Sequence, residues 1–176
     1  MSDLGQAEYR ALRDTIRERG TVRMWITLGG LAAWSILAIV ALIAGIEGAG
    51  TLVSLVVLAA SYEINFFIHT GVERVGRYIQ VFYEEREGSA GWETIAMKYG
   101  AKFPSGLDPL FSLIFAAAAI LNLLVSLAAD TRRPGWIVLA LATHAAFAYR
   151  MVSTRSAARS QRALDLERFR SLANER

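Results

Sequence analysis

Cysteine is absent from this 176-residue chain. That excludes a disulfide, a thiolate nucleophile and a cysteine-ligated metal. Charge is scarce as well: Asp, Glu, Lys and Arg make up 20% of the residues. They are segregated, so long windows hold almost none. Catalytic motifs are also missing. There is no G-x-S-x-G elbow, no P-loop, no dinucleotide fingerprint and no paired carboxylates at an expected membrane boundary. The stretch "GVERVG", residues 71–76, lies inside a helical pattern and is not a phosphate loop. A non-enzymatic protein is therefore expected. The competing enzymatic reading is lipid chemistry, in which Glu73, Arg74 and Arg77 would meet a headgroup.

What remains is apolar. The hydrophobic fraction is 54% and the mean hydropathy +0.34. Four windows are candidates for crossing a hydrocarbon core of about 30 Å. They are Met24–Gly45, Thr51 to about Thr70, Leu107–Ala129 and the shorter Pro134–Met151. The first follows a charged segment and exceeds a signal-peptide core of about 7–15 residues, so it reads as a span. Pro109 after Asp108, and Pro134, are helix-start signals.

Arginine placement sets the expected orientation. Arg10, Arg13, Arg17, Arg19 and Arg23 precede the first span. Arg74, Arg77 and Arg86 follow the second, and Arg150, Arg155, Arg159 and Arg162 lie at or beyond the last. Arg132 and Arg133 oppose the pattern, whereas the "GIEGAG" loop carries no basic residue. The expected fold is an all-α integral membrane protein with four transmembrane helices in two hairpins and both termini cytoplasmic. Residues 1–23 form a cytoplasmic amphipathic segment, 24–151 the membrane domain with a loop at 88–106, and 152–176 a cytoplasmic C-terminal helix. A cell-membrane location follows.

The second helix is expected to extend into the cytoplasm. No proline interrupts residues 63–85, and Val72, Val75, Ile79 and Phe82 keep a helical apolar stripe. Within the loop, Trp92, Ile95, Ala96 and Tyr99 share one face of a short helix, with Glu93 and Lys98 polar. That helix either rests at the membrane interface or caps the cytoplasmic layer. Tyr9, Leu12 and Ile16 form one stripe near the N-terminus, and Leu166, Phe169 and Ala173 another near the C-terminus. Each stripe packs on the extended helix or lies on anionic lipid.

Polar residues inside the apolar windows are the candidate sites. Glu63 falls about 18 Å along the second helix, near the membrane midplane. A carboxylate there must face protein or water, be paired or be protonated. His144 falls about 15 Å along the fourth helix, which runs in the same direction. Asn122 lies within reach of that depth, so Glu63, His144 and Asn122 are expected to form a polar layer or an ion pathway. A structural role in helix packing competes with the functional one. Asn65, His69, Glu73 and Arg77 recur every four residues as a polar face at the cytoplasmic end. His69 and His144 differ by about 12 Å in expected depth, too much for two ligands of one haem. One histidine and one carboxylate are too few for a metal, and no H-E-x-x-H occurs. No cofactor is expected.

Small residues at spacing four suit close helix packing: Gly29 with Ala33, Ser112 with Ala116, and Ala140, His144 and Ala148. The net charge is +3, but the basic residues flank apolar windows and no aromatic stacking platform accompanies them. Lipids, a second copy of the chain or another protein are the expected partners, and nucleic acid is not. Two functions remain: a non-catalytic membrane protein that self-assembles or binds a partner through its cytoplasmic helices, and a homo-oligomeric channel or small carrier with Glu63 in its pathway.

Overall fold

The computed structural model describes residues 3–46, 48–86, 88, 91–103, 110–129 and 134–175. Every regular element among them is helical: α1 (Asp3–Ile43), α2 (Ala49–Ile79), a π-helical continuation (Gln80–Glu85), α3 (Trp92–Lys102), α4 (Ser112–Ala129) and α5 (Pro134–Asn174). By length and composition, α1, α2 with its continuation, and α5 are long and apolar enough to cross a membrane. The third expected span, Leu107–Ala129, holds the shorter α4, about 27 Å long by helical rise. Helices run through two of the expected segment boundaries. The N-terminal segment and first apolar window form one helix, α1, and the fourth window and C-terminal segment form another, α5.

Local chemistry explains the ends. Gly45 has φ of +60°, and the Ile46 N–H reaches back to the Ala41 carbonyl at 3.0 Å. This is a glycine-terminated helix end that satisfies an orphan carbonyl of α1. Pro134 occupies the first position of α5, as its fixed φ and missing N–H favour. The Asp108–Pro109 start signal lies outside the described residues, as do Arg132 and Arg133. Instead, α4 begins after Phe111, whose φ is 53° and whose carbonyl accepts the Ile114 and Phe115 N–H groups. A non-glycine residue in that region costs about 1–3 kcal/mol. Phe111 packs against the hydrophobic core, which offsets the strain.

The chain divides into two compact units, to both of which α1, α2 and α5 contribute. One comprises Met24–Phe66 and Asp108–Arg155. At its centre Leu58, Tyr62 and Phe115 are fully buried. The Tyr62 ring meets Phe115 and Phe147 edge-on at centroid distances of 5.2 and 5.8 Å, and its hydroxyl lies 2.7 Å from Thr154 Oγ1. Thr27, Thr51, Ser54, Asn65, Asn122, Ser126 and His144 are buried here too, while Leu28, Ile36, Leu42, Val56, Leu113, Ile120 and Val138 are exposed. Polar groups inside and large apolar side chains outside reverse the usual arrangement of a protein surrounded by water.

The other unit comprises Met1–Arg23, Phe67–Leu107 and Ser156–Arg176. Ion pairs and rings hold it together. Arg74 pairs with Asp165 at 3.2 Å, Arg170 with Glu85 at 2.6 Å, and Arg162 with Glu73. Phe169 of α5 packs edge-on against Tyr78 and Phe82, and Tyr9 of α1 lies 5.4 Å from Tyr83. The backbone remains helical through Gly71, and the stripe beyond it is covered: Ile79 is fully buried, and Val72, Val75 and Phe82 are half-buried.

Candidate functional site

The densest polar cluster in the apolar unit is built on Asn122 of α4, which is fully buried. Its Oδ1 accepts from Trp34 Nε1 of α1 at 3.1 Å and from the Ser54 hydroxyl of α2 at 2.6 Å. Its Nδ2 donates to the Thr51 carbonyl at 3.0 Å and meets His144 Nε2 of α5 at 3.1 Å. A side-chain amide has two donors and two acceptor positions. All four are used, and each contact joins α4 to another helix. The pattern also assigns the imidazole. Nδ1 of His144 lies 2.8 Å from the Ala140 carbonyl, so it carries the proton and leaves Nε2 as acceptor. The single Ser54 proton, directed at Asn122, also has the Thr51 carbonyl within reach at 2.9 Å, and the Ser126 hydroxyl donates to the carbonyl of Asn122.

Two members of the expected polar layer, Asn122 and His144, are therefore in contact, while Glu63 is engaged elsewhere. Its carboxylate takes a forked pair of hydrogen bonds from Arg150, Nε to Oε1 at 2.6 Å and Nη2 to Oε2 at 2.8 Å. The Arg150 guanidinium also lies 5.3 Å from the Phe66 ring centroid. Such planar two-point pairing is the strongest form of carboxylate recognition. Both side chains nonetheless remain 43% exposed. Read by sequence alone, Arg150 is a flanking charge for topology. The missed signal is its depth: about 24 Å along α5 from Pro134, against about 21 Å for Glu63 from Ala49 along α2. Trp34, Thr51 and Ser54 also escape a reading confined to ionisable and amide residues.

The spacing-four series on α2 divides among different partners. Asn65, in the apolar unit, is buried; it accepts from the Thr27 hydroxyl at 3.2 Å and donates to the Ser61 carbonyl at 3.0 Å. In the other unit, Arg23 Nη1 lies 3.2 Å from His69 Nδ1, which must be the acceptor. Glu73 pairs with Arg162, and buried Arg77 contacts Gln80 Oε1 at 2.6 Å and Glu93 Oε2 at 3.3 Å. Burial pulls the Arg77 guanidinium below its ordinary pKa, opposed chiefly by Glu73 and then Glu93. Among the described residues, no three His, Asp or Glu side chains cluster as a metal site would need.

Two carboxylates beyond the expected set organise the second unit. Glu84 is buried and accepts the Glu93 and Thr94 N–H groups, each at 2.8 Å, and the Thr94 hydroxyl at 2.6 Å. It thereby satisfies orphan donors at the start of α3. A side chain on Gly91 would overlap the Glu84 carboxylate. Glu93 turns inward to Arg13, at 2.6 Å, and to Arg77. The π-helical segment carries Gln80, Val81 and Glu84 as buried residues, a register that a uniform α-helical reading does not anticipate.

No protein-family model, characterised protein or solved structure matches this chain.

Proposed function

We propose that the chain is a non-catalytic multi-pass membrane protein that self-assembles through the face carrying Glu63 and Arg150. On this reading α1, α2, α4 and α5 cross the membrane as two hairpins. Both termini, the extension of α2 and α3 then lie on the cytoplasmic side. The outward apolar side chains and inward polar network of the Met24–Phe66 and Asp108–Arg155 unit support insertion. The excess of arginine at the expected cytoplasmic ends supports the orientation.

The observation carrying self-assembly is the half-exposed ion pair within a largely apolar surface. Facing hydrocarbon, each charge would cost several kcal/mol before snorkelling or water defects relieve it. A second copy closing over the pair removes that exposure while keeping the guanidinium and carboxylate joined. Gly29 and Gly30 then serve different purposes. Gly29 has open space where its side chain would be, whereas Gly30 abuts Ser61 and lets α1 approach α2.

The same exposure favours a second reading, a water-filled pathway at the centre of an oligomer. Purified protein in liposomes tests both, with wild type beside Glu63→Ala and Glu63→Gln, for oligomer size and ion flux. Self-assembly expects no specific flux and a smaller species for Glu63→Ala, which leaves Arg150 unpaired. Glu63→Gln keeps one acceptor and should retain part of the oligomer. A channel expects wild-type flux altered by both substitutions. Unchanged oligomer size and no flux in all three proteins refute both readings. Reporter fusions at the two termini test the orientation; opposite locations would contradict it.

A further inference from the structure

The polarity of α3 is fixed with its carboxylate inward and its aromatic side chains outward. Glu84 holds the first turn through two backbone N–H groups and the Thr94 hydroxyl. Glu93 is held by Arg13 and Arg77. These contacts bring the acidic side of the helix against its own unit. At helical spacing, Trp92, Ile95, Tyr99 and Phe103 then form one outward stripe. Trp92 is 67% and Tyr99 64% exposed, and Ile95 and Phe103 are also exposed. The Tyr99 and Phe103 rings lie 5.0 Å apart, and the Lys102 ammonium lies 5.6 Å from the Phe103 centroid. Lys98 and Lys102 flank the stripe. The only acid of α3, Glu93, is the one turned in.

We propose that the Trp92–Ile95–Tyr99–Phe103 face of α3 docks in the headgroup region of an anionic lipid bilayer. Tryptophan and tyrosine are the side chains that sit best where an apolar body and a polar tip must both be accommodated. The two lysines complement acidic headgroups, each gaining about 1 kcal/mol near such a surface. The spacing of α3 in the chain also favours this occupant. Ten residue steps separate Lys102 from Ser112, the start of apolar α4, a tether of at most about 33–36 Å. A second copy of this face would instead bring Lys98 and Lys102 towards their counterparts.

The inference rests on the membrane reading of the apolar helices, and the test separates the two. The chain has no cysteine, so Tyr99→Cys and Val56→Cys each provide a single site for an environment-sensitive fluorophore. The labelled full-length proteins are reconstituted in phosphatidylcholine–phosphatidylserine vesicles containing nitroxide lipids, with the spin label at headgroup depth or deep in the acyl chain. Val56 lies in a span and should be quenched most by the deep nitroxide. Tyr99 should show blue-shifted emission and be quenched most by the headgroup nitroxide. Lys98→Glu with Lys102→Glu should reverse part of the Tyr99 shift. Quenching at Val56 without any at Tyr99 overturns the docking proposal and leaves the membrane reading standing. This includes the case in which Tyr99 is shielded from both lipid and aqueous quenchers, as a protein partner would shield it. No lipid quenching at Val56 overturns the membrane reading first.

Discussion

Replacing Asn122 with alanine should cost the apolar unit about 1–3 kcal/mol, and the magnitude follows from which partners can re-pair. Four groups lose a contact: Trp34 Nε1–H, the Ser54 hydroxyl, the Thr51 carbonyl and His144 Nε2. Two of them can re-pair with each other, because the Ser54 proton released from Asn122 turns to the Thr51 carbonyl 2.9 Å away. The Trp34 donor and the His144 acceptor are left. In water-soluble proteins a buried orphan costs about 1–3 kcal/mol. Between membrane helices the measured coupling averages about 0.6 and reaches about 1.7 kcal/mol, because the unfolded helices find other partners. Two orphans on the membrane scale give the stated range. Equilibrium unfolding in mixed micelles, followed by a conformational probe remote from Trp34, measures the loss. A double-mutant cycle with Trp34→Phe isolates the α1–α4 bond and should give a coupling of about 0.6–1.7 kcal/mol. A loss below about 0.3 kcal/mol for Asn122→Ala, or strict additivity with Trp34→Phe, refutes the energetic role assigned to the hub.

Glu84→Ala should fray the start of α3 at a cost of about 1–3 kcal/mol; amide exchange should rise at Glu93 and Thr94, whose N–H groups lose their acceptor. Gly30→Leu should destabilise α1–α2 packing by about 1–3 kcal/mol, since even a Cβ would overlap Ser61, while Gly29→Leu should alter monomer stability little; unfolding midpoints compare the two. The hydrogen bond from Arg170 is the largest cause holding the Glu85 pKa below its ordinary value. The pair's contribution should therefore be present above the unfolded-state carboxylate range and fade as pH falls through the lower folded value. Its half-exposed arginine keeps that contribution below about 1 kcal/mol. Exchange protection of the last turns of α5, measured against pH in wild type and Arg170→Ala, should converge in acid.

The helices were legible because apolar windows and spacing leave a mark that tertiary context rarely overrides. The continuity of α1 and α5 was not. Charged and apolar stretches have similar helix propensity, so a change in polarity along a helix does not mark an end. Helical rise set Asn122 and His144 in one expected layer with Glu63, and the structure brings only the first two into contact. Depth did not reveal which neighbour Glu63 would take: an arginine counted as a topology signal is also a five-donor fork within reach. The face of α3 was visible as a stripe, but its direction was not. That direction depends on Glu84, which the π-helical segment carries as a buried residue and which sits nine positions before Glu93.

Inter-copy cross-linking at Ala60 tests the assembly claim most directly. Ala60 is exposed on α2, three residues before Glu63 and on the same side of the helix. Because no native cysteine competes, Ala60→Cys can be oxidised in liposomes at high lipid excess and read as covalent dimer on a denaturing gel. Self-assembly through the Glu63–Arg150 face predicts a dimer that forms at Ala60→Cys, stays absent at Ile120→Cys on α4, and is lost when Glu63→Ala is added. Monomer alone at Ala60→Cys, or equal cross-linking at both sites regardless of Glu63, would contradict the account.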